Sequence, residues 1–173
     1  MTTLRCTAKL LKRLRIRDPG EPPPPENRLG DWYANILYTR QGHFVLLVSE
    51  HSLLPIVTTA RDLDHFEERF LRLLTDVLRA LEVPQKLIDR ELSQMDPLYY
   101  GRTNSRVVLG SMNDFAQMFK DVLPGTSEWT FLDHSLDLAH APCGPIGMQR
   151  PEDVAAHLLM NPLDFQVLDG DRD

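Results

Sequence analysis

The sequence predicts an α+β fold in which a small, mainly antiparallel sheet is packed by helices and followed by a helical C-terminal third. Short β-branched and aromatic segments fill the first sixty residues, a long helical stripe begins at Asp62, and helical periodicity dominates after residue 126. A chain of 173 residues can bury such a core without a disulfide or a metal.

The first elements are a short strand over Thr2 to Cys6 and a helix over Ala8 to Arg15, with Thr7 as the predicted cap. Four consecutive prolines, Pro22 to Pro25, then exclude a helix and predict a stiff surface loop.

A β-hairpin is predicted next, because Trp32 to Tyr38 alternates in polarity and Arg40 to His43 forms a turn before the return strand Phe44 to Val48. Leu54 to Thr59 predicts a third strand. Its proline, Pro55, removes a ladder donor and favours the edge of the sheet or a strand start.

Two helices follow, over Asp62 to Leu81 and from Pro84 to about Met95. The first carries one apolar stripe at 3.6-residue spacing, formed by Leu63, Phe66, Phe70, Leu73, Leu74, Val77, Leu78 and Leu81.

The densest local pattern is a β-branched run that meets a glycine and a serine. It predicts a strand over Arg106 to Leu109, a corner at Gly110-Ser111 and a helix over Met112 to Val122. Ser111 and Asp114 have the spacing of a capping box.

Helical patterns over about Glu128 to Ala139 and Pro151 to Met160 complete the chain. We predict an α+β domain over residues 1–125 and a helical C-terminal extension over residues 126–173, packed on the same core. The extension ends in an acidic tail formed by Asp164, Asp169, Asp171 and Asp173.

Charge is distributed unevenly along the chain. Residues 1–17 contain six lysines and arginines and no acid, so the net charge of −6 leaves −12 for the remaining residues. Such an acidic body disfavours wrapping of nucleic acid, whereas Lys12, Arg13 and Arg15 can contact a phosphate backbone or an acidic partner. The more common interpretation of this segment is the solvated face of a short helix.

Two cysteines outside any CxxC pair, Cys6 and Cys143, predict reduced thiols and a cytoplasmic protein. No apolar run approaches the roughly 18 residues of a membrane span. We therefore expect no membrane association.

The predicted corner and hairpin supply the candidate ligand-binding residues, which are Asn35, Glu50, Arg106, Ser111 and Asn113. A serine at a helix N-terminus suits an anion, but the sequence around Gly110 fits neither a P-loop nor a G-x-S-x-G elbow. A tight corner that needs glycine for its backbone and serine for its cap is the simpler explanation.

No metal or cofactor is predicted. Asp133, Asp137 and His140 share one helical face that could hold a divalent cation, but no fourth ligand lies nearby in the sequence. No cysteine-nucleophile or zinc spacing is present.

Three segments carry a resemblance to a known family. They are Leu4 to Leu11, with the pattern LxCTxKL; Trp32 to Asn35, with the pattern WxAN; and the LGSMND segment that begins at Leu109. Over about residues 2–123 the chain resembles an uncharacterised bacterial domain of unknown function. The resemblance implies a bacterial, soluble, cytoplasmic accessory protein and no specific activity.

The leading hypothesis is a non-enzymatic, regulatory or macromolecule-binding module whose partner is another protein or a second copy of the chain. A small hydrolase or phosphate-handling enzyme, with its pocket between the hairpin and the Gly110-Ser111 corner, is the alternative. Nucleic-acid binding by residues 5–17 is the third and less favoured hypothesis.

Overall fold

The centre of the computed structural model, which describes residues 1–161, is a five-stranded sheet. Its strands in chain order are β1 (Thr2–Cys6), β2 (Trp32–Thr39), β3 (Gly42–Ser49), β4 (Pro55–Thr59) and β5 (Leu98–Arg102). The order across the sheet is β4-β3-β2-β1-β5, which places β4 at one edge and β5 at the other.

The predicted hairpin is present as β2 and β3, and β4 extends it as an antiparallel edge strand. β1 instead runs parallel to both of its neighbours, β2 and β5. The α+β class is confirmed, but the sheet is mixed, with two antiparallel and two parallel pairs, rather than mainly antiparallel. Parallel pairs arise here because helical segments carry the chain back across the sheet.

Within residues 1–161, six α-helices surround the sheet. They are α1 (Ala8–Arg13), α2 (Phe66–Ala80), α3 (Gln85–Met95), α4 (Arg106–Val122), α5 (Phe131–Ala139) and α6 (Pro151–Met160). All but α4 were predicted with bounds that differ by a few residues at most. Within the described residues, no helix is both long enough and apolar enough to cross a membrane.

Alternation along β2 divides the buried residues between two cores. Trp32 and Ile36 belong to a first core with α1, α2, α3 and α6, whereas Tyr33 and Leu37 belong to a second core with α4. α5 contributes residues to both cores. The boundary at residue 125 stays a prediction, and the acidic tail lies outside the described residues.

The predicted strand and corner at 106–111 are wrong, because residues 106–122 form one continuous helix. Ser105 caps this helix by accepting a hydrogen bond from the Val108 backbone N–H at 3.3 Å. Ser111 is buried within the helix and forms no capping box. Local β propensity in Val107-Val108 is outweighed by packing, since Val108, Met112, Phe115 and Phe119 form one buried helical stripe.

β5 was not predicted. It lies so close to β1 that a Cβ on Gly101 would come within 2.9 Å of Thr3 Cγ2 and 3.2 Å of Pro22 Cγ. The first proline of the stiff segment therefore packs against this strand, and glycine at position 101 makes room for it.

Candidate functional site: a basic edge of the sheet

β1 and β5 run parallel and end together, with Cys6 opposite Arg102. A helix follows each strand: α1 begins two residues after β1, and α4 begins four residues after β5. Two helix N-termini and two connecting loops therefore meet where the parallel strands end. In open α/β sheets, this carboxyl edge is where ligands generally bind.

Seven exposed cations surround this edge. We define the basic edge as Lys9, Lys12, Arg13, Arg15, Arg17, Arg102 and Arg106. Among the residues that the structure describes, none of the seven forms an ion pair with a carboxylate. Their positive field is therefore not neutralised by direct partners.

Contacts among these side chains hold parts of the basic edge in place. The Arg102 guanidinium donates to the Arg17 carbonyl at 3.4 Å. Arg13 donates to the Tyr38 hydroxyl at 3.3 Å, and Lys9 Nζ lies 5.8 Å from the centre of the Tyr38 ring. Tyr38 is 45% exposed, so an aromatic face lies open beside two cations.

Arg15 has a left-handed backbone, with φ of 61°. It occupies the C′ position of a Schellman motif after α1, in which the Ile16 N–H donates to the Leu11 carbonyl at 3.0 Å and the Arg15 N–H donates to the Lys12 carbonyl at 3.1 Å. Glycine is the usual residue at C′ because it has no Cβ penalty in this conformation. Arginine at this position is less stable than glycine would be, but it adds a positive charge to the basic edge.

A buried polar framework supports the basic edge from beneath. Arg5 Nε donates to Asp31 Oδ2 at 2.9 Å, and the Thr3 backbone N–H donates to Asp31 Oδ1 at 3.0 Å. Asp31 is 2% exposed. Arg5 also donates to the Arg102 carbonyl at 3.0 Å, so one guanidinium links a buried carboxylate to the end of β5.

Tyr33 joins this framework to the loop before α4, because its hydroxyl donates to Asn104 Oδ1. Burial, with a smaller contribution from the Glu50 carboxylate, raises the pKa of the Tyr33 hydroxyl to about 12. Tyr33 is therefore a neutral donor at physiological pH.

Three groups of the predicted site residues lie at or near this edge. Asn35 Oδ1 accepts a hydrogen bond from Thr7 Oγ1 at 2.6 Å, directly after β1. Arg106 is exposed in the first turn of α4, and the predicted contact residues Lys12, Arg13 and Arg15 follow β1 on and after α1.

The other predicted site residues do not join them. Glu50 lies behind the framework, where its carboxylate accepts from the Asp31 backbone N–H at 3.4 Å. Ser111 lines a small cavity of about 100 Å³ together with Asp114 and Cys143. Asn113 is exposed farther along α4. Of the five proposed ligand-binding residues, Ser111 alone lines this cavity.

Lys9, Arg17 and Arg102 complete the basic edge but were not predicted as site residues. Lys9 and Arg17 belong to the acid-free segment 1–17 and could have been included on that ground. Arg102 could not, because only the pairing of β5 with β1 brings it to this edge.

Residues 1–161 contain no group of three or more histidine, cysteine, aspartate or glutamate side chains that could hold a metal ion. Both cysteines are free, and burial raises the pKa of the Cys6 thiol to about 12. The basic edge is therefore a surface of fixed positive charge and hydrogen-bond donors.

The sequence of residues 3–154 matches a domain of unknown function, DUF6933. The chain belongs to this family. The predicted membership of an uncharacterised domain family is confirmed, and the DUF6933 match extends beyond residue 123 into α6. No curated protein and no solved structure matches the chain.

Proposed function

We propose that this DUF6933 domain is a binding module that holds nucleic acid by its phosphate backbone through the basic edge. The observation that carries the proposal is the set of seven exposed cations without carboxylate partners at the ends of β1 and β5. Phosphate contacts from lysine and arginine supply most of the sequence-independent affinity for nucleic acid.

The composition of the basic edge suits contact with phosphate. Five of its seven cations are arginines, whose planar guanidinium matches two phosphate oxygens at once. The first turn of α4 adds the positive end of a helix dipole, and the exposed Tyr38 ring offers a face on which a base can stack.

The charge of the rest of the chain limits the contact to this edge. Outside these seven cations the chain carries a formal charge of −13, which repels a polyanion that approaches any other surface. We therefore propose a short contact with a strand or a loop rather than wrapping of a long duplex.

This proposal keeps the non-enzymatic binding module and replaces its protein partner with nucleic acid. The hydrolase alternative has less support, because the Gly110-Ser111 corner that shaped its pocket is the middle of a helix. In this proposal the domain acts in the bacterial cytoplasm, where reducing conditions keep its two free thiols reduced.

Fluorescence anisotropy with labelled 20-nucleotide single-stranded RNA, single-stranded DNA and duplex DNA tests the proposal between 50 and 200 mM salt. We expect the affinity for nucleic acid to fall steeply as salt is raised. The triple variant Lys12→Gln/Arg13→Gln/Arg15→Gln should bind up to about 100-fold more weakly, because each lost phosphate contact means that fewer counterions are released on binding.

A matched control removes three exposed cations from α2 and α3 instead, in Arg72→Gln/Lys86→Gln/Arg90→Gln. We expect this control to retain nearly the affinity of the unmodified chain. Absent binding, salt-independent binding or equal losses in the two triple variants would contradict the proposal.

A further inference from the structure

A groove of about 810 Å³ lies between the C-terminal end of α2 and the helices α5 and α6. Its apolar part is formed by Ala80, Leu81, Leu136 and Ala156, with Trp129 beside them. Trp129 is 40% exposed, so the groove presents an open aromatic surface.

Five carboxylates and no lysine or arginine line the same groove. The five are Glu82, Asp133, Asp137, Glu152 and Asp153. His140, the remaining polar lining residue, has its Nδ1 2.8 Å from Glu152 Oε1. We call this feature the acidic groove.

Two of these acidic residues lie at helix ends. Asp133 accepts from the Thr130 backbone N–H at 2.9 Å in a capping box, and this hydrogen bond lowers the pKa of the Asp133 carboxyl group. Glu82 has φ of 63° at the C′ position after α2, where the Val83 N–H donates to the Leu78 carbonyl at 3.1 Å. The acidic groove therefore has a charged residue in the same strained position as Arg15 of the basic edge.

The acidic groove and the basic edge lie towards opposite edges of the sheet. Ser135 of α5 accepts from the Val57 backbone N–H at 3.0 Å, so α5 covers the β4 edge strand. The basic edge adjoins β1 and β5 at the other side. Because Leu10 and Leu11 hold α1 in the first core, α1 cannot reach the acidic groove of its own chain.

We propose that the acidic groove binds the basic face of α1 from a second copy of this chain. The match is one of charge: the groove carries five carboxylates, and α1 carries the exposed Lys9, Lys12 and Arg13, with Arg15 two residues farther along the chain. The aliphatic stems of these cations can lie along Leu136, and a guanidinium can lie over Trp129.

Such a contact joins different surfaces of the two copies, so it is heterologous and leaves a free groove at one end and a free basic face at the other. Copies therefore add head to tail. Because nucleic acid uses the same cations, the two ligands compete for α1, although self-association does not depend on nucleic-acid binding.

Two charge-reversed chains test this contact by sedimentation velocity at 50 and 300 mM salt. One is Lys12→Glu/Arg13→Glu in the basic edge, and the other is Asp137→Lys/Asp153→Lys in the acidic groove; all four side chains are exposed. Circular dichroism establishes that both chains fold. We expect the unmodified chain to form larger species at 50 mM salt that dissociate at 300 mM.

Each reversed chain alone should remain monomeric. An equimolar mixture should associate into heterodimers or larger species, because the intact groove of the first chain can bind the intact basic face of the second. A monomeric unmodified chain at 50 mM salt, assembly by either variant alone, or a mixture that stays monomeric would overturn the proposal.

Nucleic acid separates this proposal from the preceding one. An excess of the 20-nucleotide strand should dissociate the assemblies, and Asp137→Lys/Asp153→Lys should bind that strand at least as tightly as the unmodified chain. Nucleic-acid binding by a chain that is monomeric at 50 mM salt would overturn self-association and leave the proposed function standing.

Discussion

The basic edge and the acidic groove are oppositely charged surfaces that the fold supports by different means. The basic edge lies above a buried framework centred on Asp31, which links β1, the start of β2 and the end of β5. The acidic groove depends on helix packing and on an exposed capping box at Thr130. Substitutions in the framework beneath the basic edge should therefore destabilise the whole fold. Substitutions of the groove carboxylates should have little effect on stability.

The largest expected effect on stability is that of removing the buried carboxylate. Asp31→Ala leaves Arg5 without its partner and the buried Thr3 N–H without an acceptor, which should cost about 3 kcal/mol of unfolding free energy. Asp76→Ala, which removes an exposed carboxylate 3.9 Å from Arg79, should cost less than about 0.5 kcal/mol. Urea unfolding measures both, and similar costs would contradict a buried framework.

Titration should affect stability at opposite ends of the pH scale through Tyr33 of the framework and through His134 of α5, whose ring centre lies 5.1 Å from that of the groove residue Trp129. The pKa of Tyr33 is raised above its ordinary value of about 10 to about 12, so its contribution to stability is complete below pH 10 and is lost as the pH rises towards 12.

Burial lowers the pKa of His134, so its contribution is complete above its ordinary pKa of about 6.5 and is lost as the pH falls below it. Urea unfolding between pH 5 and 12 checks both. Tyr33→Phe should reduce only the alkaline slope, part of which remains because burial also raises the pKa of Tyr100. His134→Phe should flatten only the acid slope. Unchanged slopes in the two variants would contradict these assignments.

The continuous helix α4, which starts beside the basic edge, is tested by Gly110→Ala. Gly110 is exposed in the helix interior, and a Cβ there would meet no atom within 4 Å. Alanine should therefore raise the unfolding free energy by about 0.5 to 1 kcal/mol. A glycine at a strand-to-helix corner would respond in the opposite direction, so destabilisation would favour the corner that the sequence predicted.

The smallest expected effects concern Arg15 and Glu82, the charged residues with a left-handed backbone in the two regions. Arg15→Gly and Glu82→Gly should each stabilise the fold by about 0.5 kcal/mol, because glycine relieves the left-handed backbone while adding some entropy to the unfolded chain. Arg15→Gly should also weaken nucleic-acid binding, whereas Glu82→Gly should not. Thermal unfolding and anisotropy check the pair, and a loss of stability in either variant would contradict the account of strain.

The sequence predicts the fold well where the pattern of apolar residues within one element is enough to indicate a strand or a helix. The alternation from Trp32 to Tyr38 corresponds to β2, the return strand Phe44 to Val48 to β3, and the stripe from Leu63 to Leu81 to α2. It fails at Val107-Val108, where β-branched residues occupy a helix that tertiary packing selects.

Only part of the candidate site can be predicted from the sequence, for a similar reason. The cations of residues 1–17 are adjacent in sequence, and their charge alone indicates a contact surface. Arg102 and the framework partner Asn104 join them only because β5 pairs with β1, which is 96 positions away along the chain. Pairing over such a separation leaves no local pattern in one sequence.

The most direct test of the central claim is to map nucleic-acid contacts by NMR on the ¹⁵N-labelled chain, with the 20-nucleotide RNA strand added at 100 mM salt. We predict that the amide shifts of residues 8–17 and 102–106 change first and saturate with the affinity measured by anisotropy. Shifts confined to the acidic groove, or no saturable change at the basic edge, would contradict the assignment of this surface as the binding site.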